Sequence, residues 1–102
     1  MGLNFAIEQL FATGWSALDT TGCEFHQGRC YPGLGRVMRE FAGANADLSI
    51  RKIDLFDCYR AEWRDTSGPP GNALGGVVGH TETEAAVYAL AMFRRATQMV
   101  AA

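Results

Sequence analysis

The chain has 102 residues, 48% of them hydrophobic, and a formal net charge of −2. This length predicts a single domain over 1–102 with enough apolar residues to pack an interior. Nine Lys and Arg stand against eleven Asp and Glu without blocks of either sign, and Lys52 is the one lysine, which argues against a polyanion-binding tail or a membrane-surface anchor.

In chain order, Ile7, Leu10, Phe11, Gly14 and Leu18 share one arc at 3.6 residues per turn while Gln9 and Ser16 point away. This predicts an amphipathic helix over about 4–18 with Asn4 as its cap. Gln27-Gly28, inside 20–30, separates two short extended stretches and predicts a small turn or hairpin. Pro32 suits a first helical position, and Leu34, Val37, Met38 and Phe41 then form an apolar stripe opposite Arg36, Arg39 and Glu40. That second helix should end near 43–45, at Gly43 or Asn45.

From Asp47 the period changes to two. Leu48 and Ile50 alternate with polar neighbours, then Tyr59, Ala61 and Trp63 alternate with Arg60, Glu62 and Arg64. These are two strands joined near Asp54 and Asp57, residues favoured in turns for their local backbone hydrogen bonds. The stretch 66–72, with two prolines and two glycines, reads as a hairpin loop, and 74–78 as the returning strand. Gly79 then turns the chain into a last helix, where Thr81 and Glu84 have the spacing of a capping box and Ala86, Ala89, Leu90, Phe93 and Thr97 fall on one stripe. The predicted fold is α+β, ordered α-(turn/hairpin)-α-β-β-β-α. Its three-stranded antiparallel sheet is packed mainly on one face by helices and wet on the other.

Few constellations carry chemistry. Cys23, His26 and Cys30, with Cys58 or His80 as a fourth ligand, have zinc-binding side chains, yet lack the paired Cys-x2-Cys knuckles of a zinc site. Three cysteines, an odd number, fit free thiols in a reducing compartment better than a disulfide framework. A simple turn at Gln27-Gly28 sets Cys30 opposite Phe25, which weighs against a Cys23–Cys30 disulfide. Cys58 or Cys30 with His80 as base lacks any family signature of a nucleophile. Gly68 to Gly71 has no Gly-Lys-[Ser/Thr] ending, and Gly33 and Gly35 match no dinucleotide fingerprint. Trp15 and Trp63 read as core anchors. No metal, cofactor or enzymatic activity is expected.

Two resemblances follow from the order of these motifs. A helix ending in Gly14-Trp15, a Tyr31-Pro32 helix start, a strand from Tyr59 to Trp63 and the helix entry Gly79-His80-Thr81-Glu82-Thr83-Glu84-Ala85-Ala86 resemble the phage ABA sandwich family. Those are small domains of tailed phages and prophages without an established activity, and 22–30 has no counterpart in them. The latter two thirds of the chain also resembles the double-stranded RNA-binding domains in its α-β-β-β-α order. Gly79 to Ala86 lies where that family carries Gly-x-[Ser/Thr]-Lys-Lys-x-x-Ala. That resemblance implies phosphate contacts from the last helix, but Glu82 and Glu84 replace the lysines and would repel an RNA backbone.

The sequence therefore predicts a non-enzymatic interaction module that contacts a protein partner, or a second copy as a homodimer, through the sheet's outer face or an edge strand. Arg60, Glu62 and Arg64 are the candidate contact residues, with the 66–72 loop beside them. The alternative is nucleic-acid binding, which requires a cationic stripe assembled from Arg36, Arg39, Arg51, Lys52, Arg94 and Arg95. No apolar run reaches the roughly 20 residues of a membrane span and the first residues lack a signal-peptide pattern, so the cytoplasm is the expected location.

Overall fold

A computed structural model describes residues 2–16, 19–66 and 74–100, with side chains to residue 97. The first helix, α1 (Leu3–Phe11), is shorter than its apolar spacing predicts. Thr13 and Gly14 turn back on the helix end, their N–H groups donating to the carbonyls of Leu10 (3.0 Å) and Phe11 (2.9 Å). Gly14 then takes φ +85°, a left-handed conformation that stops helical propagation and costs glycine little. Leu18, expected on the same face, lies outside the described residues. The N-cap is the extended Gly2, not Asn4. Asn4 sits inside the first turn, where its side chain donates to Gln27 Oε1 (3.1 Å) and accepts from Arg29 Nη2 (3.0 Å).

Those two partners belong to a two-stranded antiparallel hairpin, β1 (Cys23–His26) and β2 (Arg29–Pro32), closed by Gln27-Gly28. Both turn residues have positive φ, 51° and 80°, as the two-residue turn matching strand twist requires. Cys30 lies opposite Phe25, as the turn position implies. Pro32 is the last residue of β2 and not the first of a helix. The N–H of Gly33 still pairs with the Gly22 carbonyl (2.9 Å), so the backbone stays extended until α2 begins at Leu34. α2 (Leu34–Gly43) buries Val37 and Phe41, with Leu34 and Met38 partly buried beside them.

The second sheet is antiparallel in the order β3-β4-β5, built from β3 (Ala46–Ile53), β4 (Cys58–Asp65) and β5 (Gly75–Gly79). A single 3-10 turn, Asp54–Phe56, and Asp57 at φ 49° link β3 to β4. This sets Leu48 against Trp63, Ile50 against Ala61 and Arg51 against Arg60. Of the predicted 66–72 loop, residues 67–72 lie outside the described residues, whereas the Thr66 N–H donates to the Asn45 carbonyl (2.9 Å). β5 starts one residue later than its sequence pattern suggests.

All three helices contribute to one hydrophobic core against the inner face of this sheet. Ile7 and Leu10 enter it from α1, Val37 and Phe41 from α2, and Leu48, Ala61 and Trp63 from the strands. The Phe41 ring lies 4.8 Å from that of Phe93 and 6.1 Å from that of Trp63. α3 (Glu82–Val100) buries Ala85, Ala86, Val87, Ala89, Leu90 and Ala91, a wider surface than one stripe, because α1 covers the side turned away from the sheet. Thr97 is exposed and not part of that stripe, its hydroxyl donating to the carbonyls of Phe93 and Arg94. At the start of α3 a Cβ on Gly79 would lie 2.6 Å from the Ala85 backbone nitrogen, so only glycine admits this approach of strand to helix. The fold is thus α+β, with three α-helices, a three-stranded antiparallel sheet and a separate two-stranded one. Among the described residues, no helix is long and apolar enough to cross a membrane.

Candidate binding face on the outer sheet surface

Since Ala61 and Trp63 point into the core, the alternate β4 residues Arg60, Glu62 and Arg64 are turned to the other face, as their spacing predicts. The register places three β3 residues directly across from them: Arg51 opposite Arg60, Ser49 opposite Glu62 and Asp47 opposite Arg64. On the β5 side, Val78 lies opposite Arg60 and Gly76 opposite Glu62. A Cβ on Gly76 would come within 2.7 Å of Arg60 Nη2, so the guanidinium lies across the bare backbone of β5.

Glu62 is the centre of this cluster. Its Oε1 accepts from Arg60 Nε at 2.7 Å and lies 3.6 Å from Arg51 Nη2, and its Oε2 lies 3.9 Å from Arg64 Nη2. The Arg60 hydrogen bond, together with the charges of Arg60, Arg51 and Arg64, outweighs burial and holds the Glu62 carboxyl below the usual carboxylate range. Ser49, Arg51, Arg60, Glu62 and Arg64 line a shallow hollow of about 100 Å³. Three guanidiniums therefore meet one carboxylate, with Asp47 at the margin across from Arg64. The Glu62 side chain is 20% exposed, against 39% for Arg60, 57% for Arg64 and 75% for Arg51. Five N–H donors per guanidinium exceed what one carboxylate can accept, so donors remain directed to solvent.

Arg51 and Ser49 complete the set named from sequence. The alternation of Leu48 and Ile50 already turns both outward, but only the β3–β4 register brings them beside Glu62.

The other chemistry-bearing residues are dispersed. Among the described residues no three His, Cys, Asp or Glu side chains are grouped to hold a metal ion. Cys23, Cys30 and Cys58 are free thiols. His80 is paired with a carboxylate, its Nδ1 3.6 Å from Glu84 Oε2. Glu84 is 7% exposed. Its N–H donates to the Thr81 hydroxyl (3.1 Å), while its carboxylate accepts from the His80 N–H (2.8 Å). The capping box is present with its return bond moved one residue upstream, to His80.

Each of the six cations required for a nucleic-acid stripe has a local partner. Arg36 binds Glu40 and the carbonyls of Asp19 and Thr21, and Arg39 reaches that Thr21 carbonyl. Arg94 donates to Thr13 and Arg95 to Gln9, tying α3 to α1. Lys52 pairs with Asp57 and Arg51 with Glu62. Trp15 and Trp63 are buried, and Trp15 donates its indole N–H to the Glu40 carboxylate.

No protein-family model matches the chain, and comparisons with curated proteins and with solved structures return no match.

Proposed function

We propose that this chain is a non-enzymatic binding module that holds an acidic segment of a protein partner against the outer face of its second sheet. The observation that carries this reading is the convergence of Arg51, Arg60 and Arg64 on the single carboxylate of Glu62. Donors left over after Glu62 is satisfied suit carboxylates presented by an extended peptide, and the guanidinium fork fits such groups in pairs. Glu62 acts from within the protein, spacing the three arginines and keeping them apart from one another's charge. A shallow hollow on a pleated face suits recognition of a side chain more than enclosure of a reacting substrate. A cytoplasmic location, from the sequence pattern, and a phage or prophage origin, from the resemblance above, are part of this proposal, and the genes next to this one test that origin.

The order α2-β3-β4-β5-α3 supports a second reading, in which duplex RNA is the ligand. It is weakened by the α3 entrance, where the Glu84 carboxylate is committed to the cap and Glu82 adds a second acidic side chain in the first turn.

Titration of a fluorescent Glu-rich peptide, a Lys-rich peptide and duplex RNA into the protein separates the readings. Selective binding of the Glu-rich peptide, weakened about tenfold or more by Arg60→Glu with Arg64→Glu, is the expected result. Binding indifferent to those two changes overturns the site. Salt-steep binding of RNA with no preference for the acidic peptide replaces it with the second reading.

A further inference from the structure

The outer face of the second sheet changes character along its length. Beyond Arg51 and Arg60, the next residues of the same phase are Ile53 on β3 and Cys58 on β4, which the register sets directly opposite one another. Val78 on β5 lies across from Arg60. Ile50, Tyr59 and Val77, in the opposite phase, pack against the hydrophobic core, so Ile53, Cys58 and Val78 are turned away from it. Val78 is 42% exposed, while Ile53 and the Cys58 thiol, itself a small apolar group, are half-buried. The turn Asp54–Phe56, which follows Ile53 and leads into Cys58, adds Leu55 and Phe56 at 84% and 72% exposure. Apolar side chains therefore gather at one end of a face whose other end is charged, the arrangement of an interaction site and not of singly scattered surface residues.

From this arrangement, and resting on the acidic-segment reading above, we infer that the partner's segment carries a bulky apolar residue beside its acids, seated against Ile53, Cys58, Val78 and the Leu55-Phe56 turn. Charge sets the order. Arg60 and Arg64 receive carboxylates, whereas Asp54 and Asp57 flank the apolar pair, so the partner's residue at that end is uncharged. The same two carboxylates oppose an anionic lipid surface, which favours a protein as the occupant. Spacing follows from the strand. Arg60 and Cys58 are two residues apart on one face of β4, and alternate residues of an extended chain lying along it share a side. The apolar residue therefore stands two positions from the acid that meets Arg60. Specificity then comes from the two ends together, since an acidic run alone leaves the apolar end wet and an apolar residue alone leaves the guanidiniums without a partner carboxylate.

Fluorescent Glu-rich peptides that differ in one residue, Leu or Ser placed two positions before or after the acidic run, test this end of the face when titrated into the whole protein. One of the leucine peptides should bind about fivefold or more tighter than its serine counterpart. Leu55→Ser with Phe56→Ser should remove that gain without changing the affinity of the serine peptide, and Val78→Thr should reduce it. Equal affinity of the leucine and serine peptides, with binding still lost in Arg60→Glu with Arg64→Glu, overturns the inference and leaves the acidic reading standing. A gain that survives the changes at Leu55, Phe56 and Val78 also overturns it, and failure of every peptide to bind discards both. Dimerisation abolished by the double serine variant, or capture of the protein by anionic phospholipid vesicles through the same two side chains, assigns this end another occupant and overturns the inference as well.

Discussion

Glu62 is exposed enough to meet water, yet its ionisation is bound up with the fold. Its carboxyl is held below the usual range, first by the Arg60 hydrogen bond and then, against burial, by the charges of Arg60, Arg51 and Arg64. The unfolded chain therefore binds this proton more readily than the folded one. Ionised Glu62 contributes stability fully above the ordinary carboxylate value of about 4.3, and the contribution disappears as pH falls through the lower native value. The stability advantage of the wild type over Glu62→Gln, measured by urea unfolding, should be present at neutral pH and shrink on acidification below about 4.3. An advantage that stays constant with pH contradicts this coupling. At the same scale, Glu84 differs from Glu62 in role: one carboxylate closes a helix start, the other spaces arginines on an open surface.

At the scale of the elements, the junction of β5 with α3 depends on Gly79. A methyl there would lie 2.6 Å from Ala85 N and 2.9 Å from Ala85 Cα, both backbone atoms that cannot rotate away. Gly79→Ala should cost about 1–3 kcal/mol in a denaturant titration, as overpacking does, with the α+β far-ultraviolet signature retained. A neutral effect contradicts the tight strand-to-helix contact. What the sequence revealed about these elements was the part set by local chemistry. Gln27-Gly28 requires positive φ at a turn, Thr81 and Glu84 serve a helix start, and the alternation at 59–64 fixes which side chains face outward. Features set by neighbours distant in sequence were hidden. Pro32 remains in a strand because Gly22 pairs with Gly33, and Asn4 turns from capping to bridging because the hairpin lies beside α1. The burial of α3 on more than one stripe depends on α1 covering it, which no period within α3 discloses. Arg51 joins Glu62 only through the register that the 3-10 turn at 54–56 imposes.

Across the whole molecule, positive charge is divided between ties within the fold and the outer sheet surface. Arg94 and Arg95 tie α3 to α1, Arg36 and Arg39 fasten the segment around 19–21 to α2, and Arg51, Arg60 and Arg64 face outward on the sheet. Helices fill the opposite side of that sheet, so the outer face is accessible to a partner without rearrangement of the core. β3 and β5 are the edges of the sheet, and β3 carries Arg51 and Lys52, charges that discourage indiscriminate pairing with other strands. On the proposed reading, this face receives an acidic protein segment. Its most direct test is an NMR titration of isotope-labelled protein with the Glu-rich peptide. Amide shifts concentrated at Ser49, Arg51, Arg60, Glu62, Arg64 and Val78, diminishing as salt is raised, are the expected result. Shifts confined to the helices or to the α3 entrance, with the outer face silent, would contradict it.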